Sequence, residues 1–272
     1  MSSARIHRTA IVGPDVQIAE DVEIGPFCFL DGAIQISPGT KLLSHVTILG
    51  HVEIGQGNVF HAHSVIGDAP QDVEYTGGVR RLRIGERNRF REGVTVHRGS
   101  ERGDATIIGS DNLFMVNSHV AHDCQIGDRV ILVNGALLGG WVRIGDAAII
   151  SGNCVIHQFC RVGRLALMRG LSRTSRDIPP FCIADGLHVL RGVNVVGLRR
   201  AGFSADTVRA IRRAFVILFA RAHNLSLALE KLIASGPLLP EVREMIDFIV
   251  SSKRGVVQGP RSSQAKGESD DD

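Results

Sequence analysis

The stretch NSHVAHDCQIG, Asn117 to Gly127, concentrates groups that could move a proton. His119 and His122 lie three residues apart, and Asp123 follows His122 directly. An imidazole with its ordinary pKa of about 6.5 can take a hydroxyl proton near neutral pH. A carboxylate beside it fixes the tautomer and supports the imidazolium. Asp123 is the near candidate, although neighbours on a strand face opposite sides. The two can meet only where the chain turns a corner. A lone histidine at such a corner also reads as a stacking or hydrogen-bonding residue, so the catalytic reading rests on the cluster. No serine or cysteine sits in a nucleophile elbow. The five cysteines contain no C-x-x-C, and no zinc ligand set is expected. The chemistry favoured is direct transfer, with a histidine activating the acceptor.

The elements that must hold this cluster announce themselves by period. Ile, Val, Leu, Phe or Met returns every sixth residue from Ile6 to Met168. Of 28 positions in that register only Asp72, Gly78 and Arg102 fail. A period of six fits neither a helix nor one long strand. It fits a solenoid of very short strands, three hexapeptides closing one triangular coil. The anchors would point inward and the coils pair through parallel backbone bonds. Glycine often follows the anchor, as at Gly25, Gly55 and Gly85, which suggests a corner needing a permissive backbone. In this frame His61, His97 and His157 each occupy the first position after an anchor. His61 and His97 are 36 residues apart, which would place them two coils apart in one column.

Composition agrees with a thin aliphatic prism. Aromatics are only 5% of the chain, and there are 31 glycines, as expected where rings have little room and corners are many. A formal net charge of +3 gives no compositional case for a nucleic-acid partner. The start, MSSARIHRTAIVG, lacks an apolar signal core, and no apolar run is long enough to span a membrane. Cys28, Cys124, Cys154 and Cys160 share the small interior column two residues before the anchor, reading as buried residues in a reducing cytoplasm.

The repeat predicts a β-helix over residues 1–190. It carries polar excursions near 68–81 and 97–106, where binding residues are common. Both excursions keep the six-residue count, so the first is expected to occupy one coil's length. Residues 191–255 form a connector and a helical domain. Pro179-Pro180 bars a helix in the connector. Ser204 is placed to cap a helix bearing Val208, Ile211, Phe215, Leu218 and Phe219 on one face. Two further helices are expected over 225–235 and 241–252. Arg199, Arg200, Arg209, Arg212 and Arg213 could meet phosphate or an acidic carrier protein, or form a solvated basic face. Residues 256–272 read as a polar, disordered tail.

The chain resembles the UDP-N-acetylglucosamine O-acyltransferases of lipid A synthesis. The motifs that carry the likeness are PQDVEY at 70–75, HRG at 97–99, HVAHDC at 119–124, HQF at 157–159, DIPPF at 177–181 and GVNVVGLRRAGFS at 192–204. The resemblance implies an all-β solenoid, a left-handed parallel β-helix of hexapeptide repeats with a C-terminal α-helical domain. It implies a cytoplasmic homotrimer with sites between neighbouring prisms. A 3-hydroxyacyl chain would pass from acyl carrier protein to the glucosamine 3-hydroxyl, with no cofactor beyond the carrier's phosphopantetheine arm. His122 would be the general base, Asp123 its orienting acid, and the N–H near Gly140 the oxyanion donor. Asp72, Glu74, His119, His157, Gln158, His188, Asn194 and Arg200 match substrate-binding positions. Met168, Arg169 and Gly170 match the acyl-chain groove. In the zinc-dependent hexapeptide-repeat carbonic anhydrases two histidine ligands are five residues apart, a spacing absent among the 11 histidines here.

Several positions depart from the family's pattern. Glu74 replaces a lysine, Trp141 a histidine, Arg169 a glycine and Ala201 an arginine. Glu74 puts a negative charge where an anionic nucleotide is expected. It therefore raises an alternative acceptor, a 3-amino sugar nucleotide acylated on nitrogen. A non-catalytic trimeric paralogue is the third reading, and the retained His119, His122, Asp123 and His157 speak against it.

Overall fold

Anchor burial dictates the architecture. The computed structural model describes residues 3–103, 105–220 and 224–259. From Ile24 to Met168 the hydrophobic anchors of the six-residue register are buried. Ile6, in the terminal coil with no coil beneath it, remains 48% exposed. Short strands flank the anchors and form three sheets of 11, 9 and 8 strands, one per face of the prism. Along the faces the pairing is parallel, with Arg5 against Glu23 and Ile6 against Ile24. This is the left-handed parallel β-helix of hexapeptide repeats, followed by a helical domain.

The excursions correct the coil count. Ile54 pairs with Ile84 and Ile84 with Ile108, instead of with residues 18 further on. The first excursion therefore adds twelve residues to its coil, and the second adds six. Both lengths are multiples of the hexad, so the sequence register persists while the face assignment shifts. His61 consequently follows Phe60 on the 11-stranded face, whereas His97 ends a strand of the 9-stranded face. They do not share a column.

The glycines after the anchors serve close approach. A Cβ on Gly55 would lie 2.6 Å from Gly85 O, and one on Gly85 would lie 2.7 Å from Gly109 O. The left-handed backbone falls two positions later, at residues such as His45 (φ 57°), Asp123 (φ 59°) and Trp141 (φ 64°).

A spine runs through the coils that release the excursions. The rings of Phe60, Phe90 and Phe114 stack at centroid distances of 4.7 Å. Beside them the side-chain oxygen of Asn58 accepts from Asn88 N–H at 2.9 Å, and that of Asn88 accepts from Asn112 N–H at 2.9 Å. These buried amides satisfy corner groups that would otherwise be desolvated without partners. All five cysteines are buried. Burial pushes the Cys124 thiol up to about 12 and that of Cys160 to about 11, so neither supplies a thiolate at neutral pH.

Beyond the prism, Cys182–Asp185 pairs antiparallel with Val189–Val193. Helix α1 (Val195–Arg200) follows, capped by Asn194. Helix α2 (Ala205–Phe215) is capped by Ser204 Oγ and continues as a π-helical turn, Val216–Ala220. Helices α3 (Leu225–Ala234) and α4 (Pro240–Val250) complete the domain. Asp177, 1% exposed, accepts from Arg161 Nε at 2.9 Å and Ser252 Oγ at 2.8 Å, clasping the end of α4 to the prism. The chain then returns to the prism. Val256 and Val257 are buried, and Val257 N–H donates to Asp177 O at 2.9 Å. Residues 256–259 are thus an ordered part of the fold rather than tail, because two valines find an apolar seat and open backbone partners. The expected tail over 260–272 lies outside the described residues.

Phe90→Ala removes the middle ring of the stack. A loss of about 3–5 kcal/mol is expected, read as a lower denaturant midpoint at unchanged slope. An unaltered midpoint would show that the spine carries no stability.

Candidate active site

His122 and Asp123 sit on the corner after the strand His119–Val120. Extended backbone would send them to opposite sides. The left-handed turn at Asp123 brings them together, and aspartate tolerates that conformation better than most residues. His122 Nδ1 lies 2.8 Å from Asp123 Oδ2, with His122 9% and Asp123 4% exposed. An ionised carboxylate only accepts, so Nδ1 carries the proton and Nε2 is left as a base. A Cβ on Gly140 would come within 2.7 Å of that Nε2. Glycine there keeps open the space the base faces.

The second excursion holds the acid. Ser100 N–H donates to Asp123 Oδ1 and Oδ2 at 3.2 and 3.1 Å, and Asp123 N–H donates to Thr106 Oγ1 at 2.8 Å. Gly103 packs so closely on the carboxylate that a Cβ there would collide with Oδ1. Burial alone would raise the Asp123 pKa. Hydrogen bonds from His122 and Ser100 outweigh it and hold the carboxyl below its usual range. In the sequence the irregular loop is the only signal for Ser100, Gly103 and Thr106.

His119 is on the adjoining strand. Its Nδ1 lies 2.7 Å from Thr95 Oγ1, and its ring meets His97 edge-on at 5.3 Å. Burial, with His97 and His122 nearby, pushes its pKa down to about 4. The two excursions are latched together. Arg80 pairs with Glu101 at 2.6 Å, Arg98 Nη1 donates to Gly67 O at 2.8 Å, and Glu74 pairs with Arg102.

Comparison with known proteins gives this geometry a context. Residues 177–257 match the family described as UDP N-acetylglucosamine O-acyltransferase, domain 2, and residues 105–140 match the bacterial transferase hexapeptide repeat. The chain is 40% identical to a UDP-N-acetylglucosamine acyltransferase of Bacteroides fragilis, covering 93% of this chain and 100% of that one, with a TM-score of 0.90. The corresponding enzyme of Francisella novicida is 34% identical over 95% of each chain, with a TM-score of 0.91. A UDP-N-acetylglucosamine O-acyltransferase structure from Moraxella catarrhalis is 38% identical over 93% of this chain and 99% of that one, at 0.89. The chain belongs to the UDP-N-acetylglucosamine O-acyltransferase family.

Within this acyltransferase fold the residues of interest separate into groups. Leu138 lies above Val120, and Ile156 above Leu138. Gly140 and Gln158 therefore stack on the His122 corner, with His157 one position before Gln158. Trp141 and Phe159 continue the Asp123 column, their rings stacked at 6.0 Å. The indole reaches the Gly103 loop, as a Cβ on Gly103 would lie 3.1 Å from its edge. Asp72 Oδ1 accepts from Glu74 N–H at 3.0 Å and shapes the tip of the first excursion. The ion pair with Arg102 balances the charge of Glu74, so that carboxylate does not stand alone.

Two assignments, Met168 and Asn194, look different in space. Met168 is 1% exposed and points into the core with the other anchors, so it does not line an outer groove of its own prism. Arg169 is exposed and turns to Asp185 at 3.1 Å; Gly170 is exposed beside it. Asn194 is buried and committed to structure, accepting from Gly197 N–H at 3.0 Å and donating to Leu165 O at 2.9 Å. Arg200 stands exposed at the end of α1. His188 lies by Ser175, and burial, with Arg176 and Arg173 nearby, lowers its pKa. Among the described residues no three His, Cys, Asp or Glu side chains are grouped to hold a metal ion, and no helix is long and apolar enough to cross a membrane.

The depressed pKa of His119 carries a pH signature. Between about 4 and the ordinary 6.5, the unfolded chain takes a proton that the folded chain refuses. That contribution to stability is intact above pH 6.5 and falls as the pH drops toward 4. His119→Gln is expected to flatten this part of the stability curve in thermal melts across that range. An unchanged slope would contradict the assignment.

Proposed function

We propose that the chain transfers a 3-hydroxyacyl group from the thioester of acyl carrier protein to the 3-hydroxyl of UDP-N-acetylglucosamine, the first step of lipid A biosynthesis. One observation carries the reading: a buried His122–Asp123 pair, with Nε2 free as a base, in a chain so like known UDP-N-acetylglucosamine acyltransferases. The acceptor hydroxyl gives its proton to His122 Nε2 as its oxygen attacks the thioester carbonyl. Asp123 stabilises the resulting imidazolium and keeps Nδ1–H in place. Negative charge grows on the carbonyl oxygen, where the Gly140 N–H is the donor we assign. Collapse of the tetrahedral species forms the ester and expels the pantetheine sulfur, which recovers the proton from the imidazolium. Atoms and charge balance without a covalent enzyme intermediate or a cofactor. Holding both substrates in one place supplies much of the acceleration.

The working unit we propose is a cytoplasmic homotrimer with a cleft between neighbouring prisms. The dyad lies on an outer corner, and one prism offers a substrate a single wall. Exposed apolar side chains such as Phe29 (39%) and Leu43 (40%) support packing against another copy. Five unpaired cysteines fit a reducing compartment. Asp72, Glu74, His119, His157, Gln158, His188 and Arg200 are assigned to the substrates, with Arg169 and Gly170 bordering the acyl chain. The pairing of Glu74 with Arg102 weakens the reason to prefer an amine acceptor.

His122→Ala is expected to lose transfer by about 10²–10⁴-fold while keeping the wild-type melting curve and assembly. Transfer is measured with 3-hydroxyacyl carrier protein and UDP-N-acetylglucosamine beside its 3-amino analogue. Persistent turnover in the variant sinks the base assignment. A preference of the wild type for the amine would overturn the hydroxyl acceptor.

A further inference from the structure

A chain of contacts outside the dyad links His157 to His188 through the segment that follows α4. Arg254 Nε donates to Ser175 O at 3.1 Å, and its Nη2 lies 3.4 Å from His157 Nδ1. The same Nδ1 is 3.2 Å from Gln158 O. These two contacts demand opposite protonation of one nitrogen. A guanidinium can only donate, so its bond needs Nδ1 bare; a carbonyl can only accept, so its bond needs Nδ1–H. Ser175 sets the other ring. Its backbone N–H, an obligate donor, lies 2.9 Å from His188 Nε2, with Ser175 Oγ at 3.0 Å. His188 Nε2 must therefore accept, which leaves the proton on Nδ1.

We propose that Arg254 is a positioning residue that keeps the proton of His157 on Nε2, while Ser175 keeps that of His188 on Nδ1. Each ring then offers one defined N–H to an oxygen of the bound substrates. The substrate half of this inference rests on the acyltransferase reading, and the proton half does not. Without Arg254, Gln158 O captures Nδ1–H, and His157 presents Nε2 as an acceptor where a donor is wanted. The segment after α4 thus governs the His157 ring, and Ser175, which Arg254 also holds, governs the His188 ring. It can do so because the strand-like return through Val256 and Val257 fixes Arg254 in place.

The test uses the full-length protein labelled with ¹⁵N-histidine, with His157→Gln and His188→Gln spectra for assignment. Wild type is expected to show His157 protonated on Nε2 and His188 on Nδ1. Arg254→Met should move the His157 proton to Nδ1, and Arg254→Lys, which keeps a cationic donor, should hold it on Nε2. Ser175→Ala keeps the backbone donor and should leave the His188 proton where it was. Transfer by Arg254→Met should fall about tenfold in kcat/KM, mainly through KM, with recovery in Arg254→Lys. A wild-type His157 proton on Nδ1, or no movement in Arg254→Met at an unchanged melting temperature, overturns the proposal. Absence of any transfer by the wild type would fail the acyltransferase reading instead, and the nitrogen spectra would still decide this one.

Discussion

Each coil must lay its backbone on the next through parallel hydrogen bonds, and almost everything else follows from that constraint. Pairing at a fixed offset puts every side chain above its counterpart, so properties run in columns. The inward column is aliphatic and buried. The corner column adopts left-handed backbone, which costs most residues strain and suits asparagine, aspartate and glycine. At one level of that corner the residue is Asp123. There the turn that closes the coil also folds a carboxylate onto the histidine before it. The dyad is a consequence of corner geometry, and the coils on either side make that geometry rigid.

The excursions use the same constraint differently. Each adds a whole number of hexads, so the chain leaves a face and returns with its anchors still pointing inward. The core at that level is held by the stacked rings of Phe60, Phe90 and Phe114 and by the asparagine ladder next to them. This leaves the loops free to serve the site. The loop over residues 97–106 covers Asp123 and gives it the Ser100 N–H. Without such donors a buried carboxylate would drift toward its neutral form and lose its grip on the imidazole. The first loop is tied to the second by ion pairs, so the surroundings of His119 and His122 act as one unit.

Much of this was legible in the sequence. The six-residue register predicted the strands, the inward anchors and the buried cysteines. The Ser204 cap and the apolar face from Val208 to Phe219 predicted α2. Counting by six is blind to counting by eighteen, so the register alone puts His61 and His97 in one column and gives the first excursion a full coil. In the sequence the glycines after the anchors suggest backbone freedom. Only the spacing to the next coil reveals that they are there for room. Met168 fits an aliphatic anchor as well as it fits a family motif, and burial decided in favour of the anchor. The short helix α1 was hidden by neighbouring breakers. Val256 and Val257 are hidden in a polar stretch because their backbone partner, Asp177, is remote in sequence. Ser100 and Arg254 act on the histidines across long loops, which no local pattern records.

The central claim is that Asp123 fixes the proton of His122 so that Nε2 serves as the base. Asp123→Asn tests it most directly, because the side chain keeps its shape while losing its charge. Steady-state transfer from 3-hydroxyacyl carrier protein to UDP-N-acetylglucosamine should show kcat reduced by about 10²-fold or more, with KM for both substrates near that of the wild type and the fold intact. A kcat equal to the wild type would mean that the His122–Asp123 pair is structural and that the base lies elsewhere.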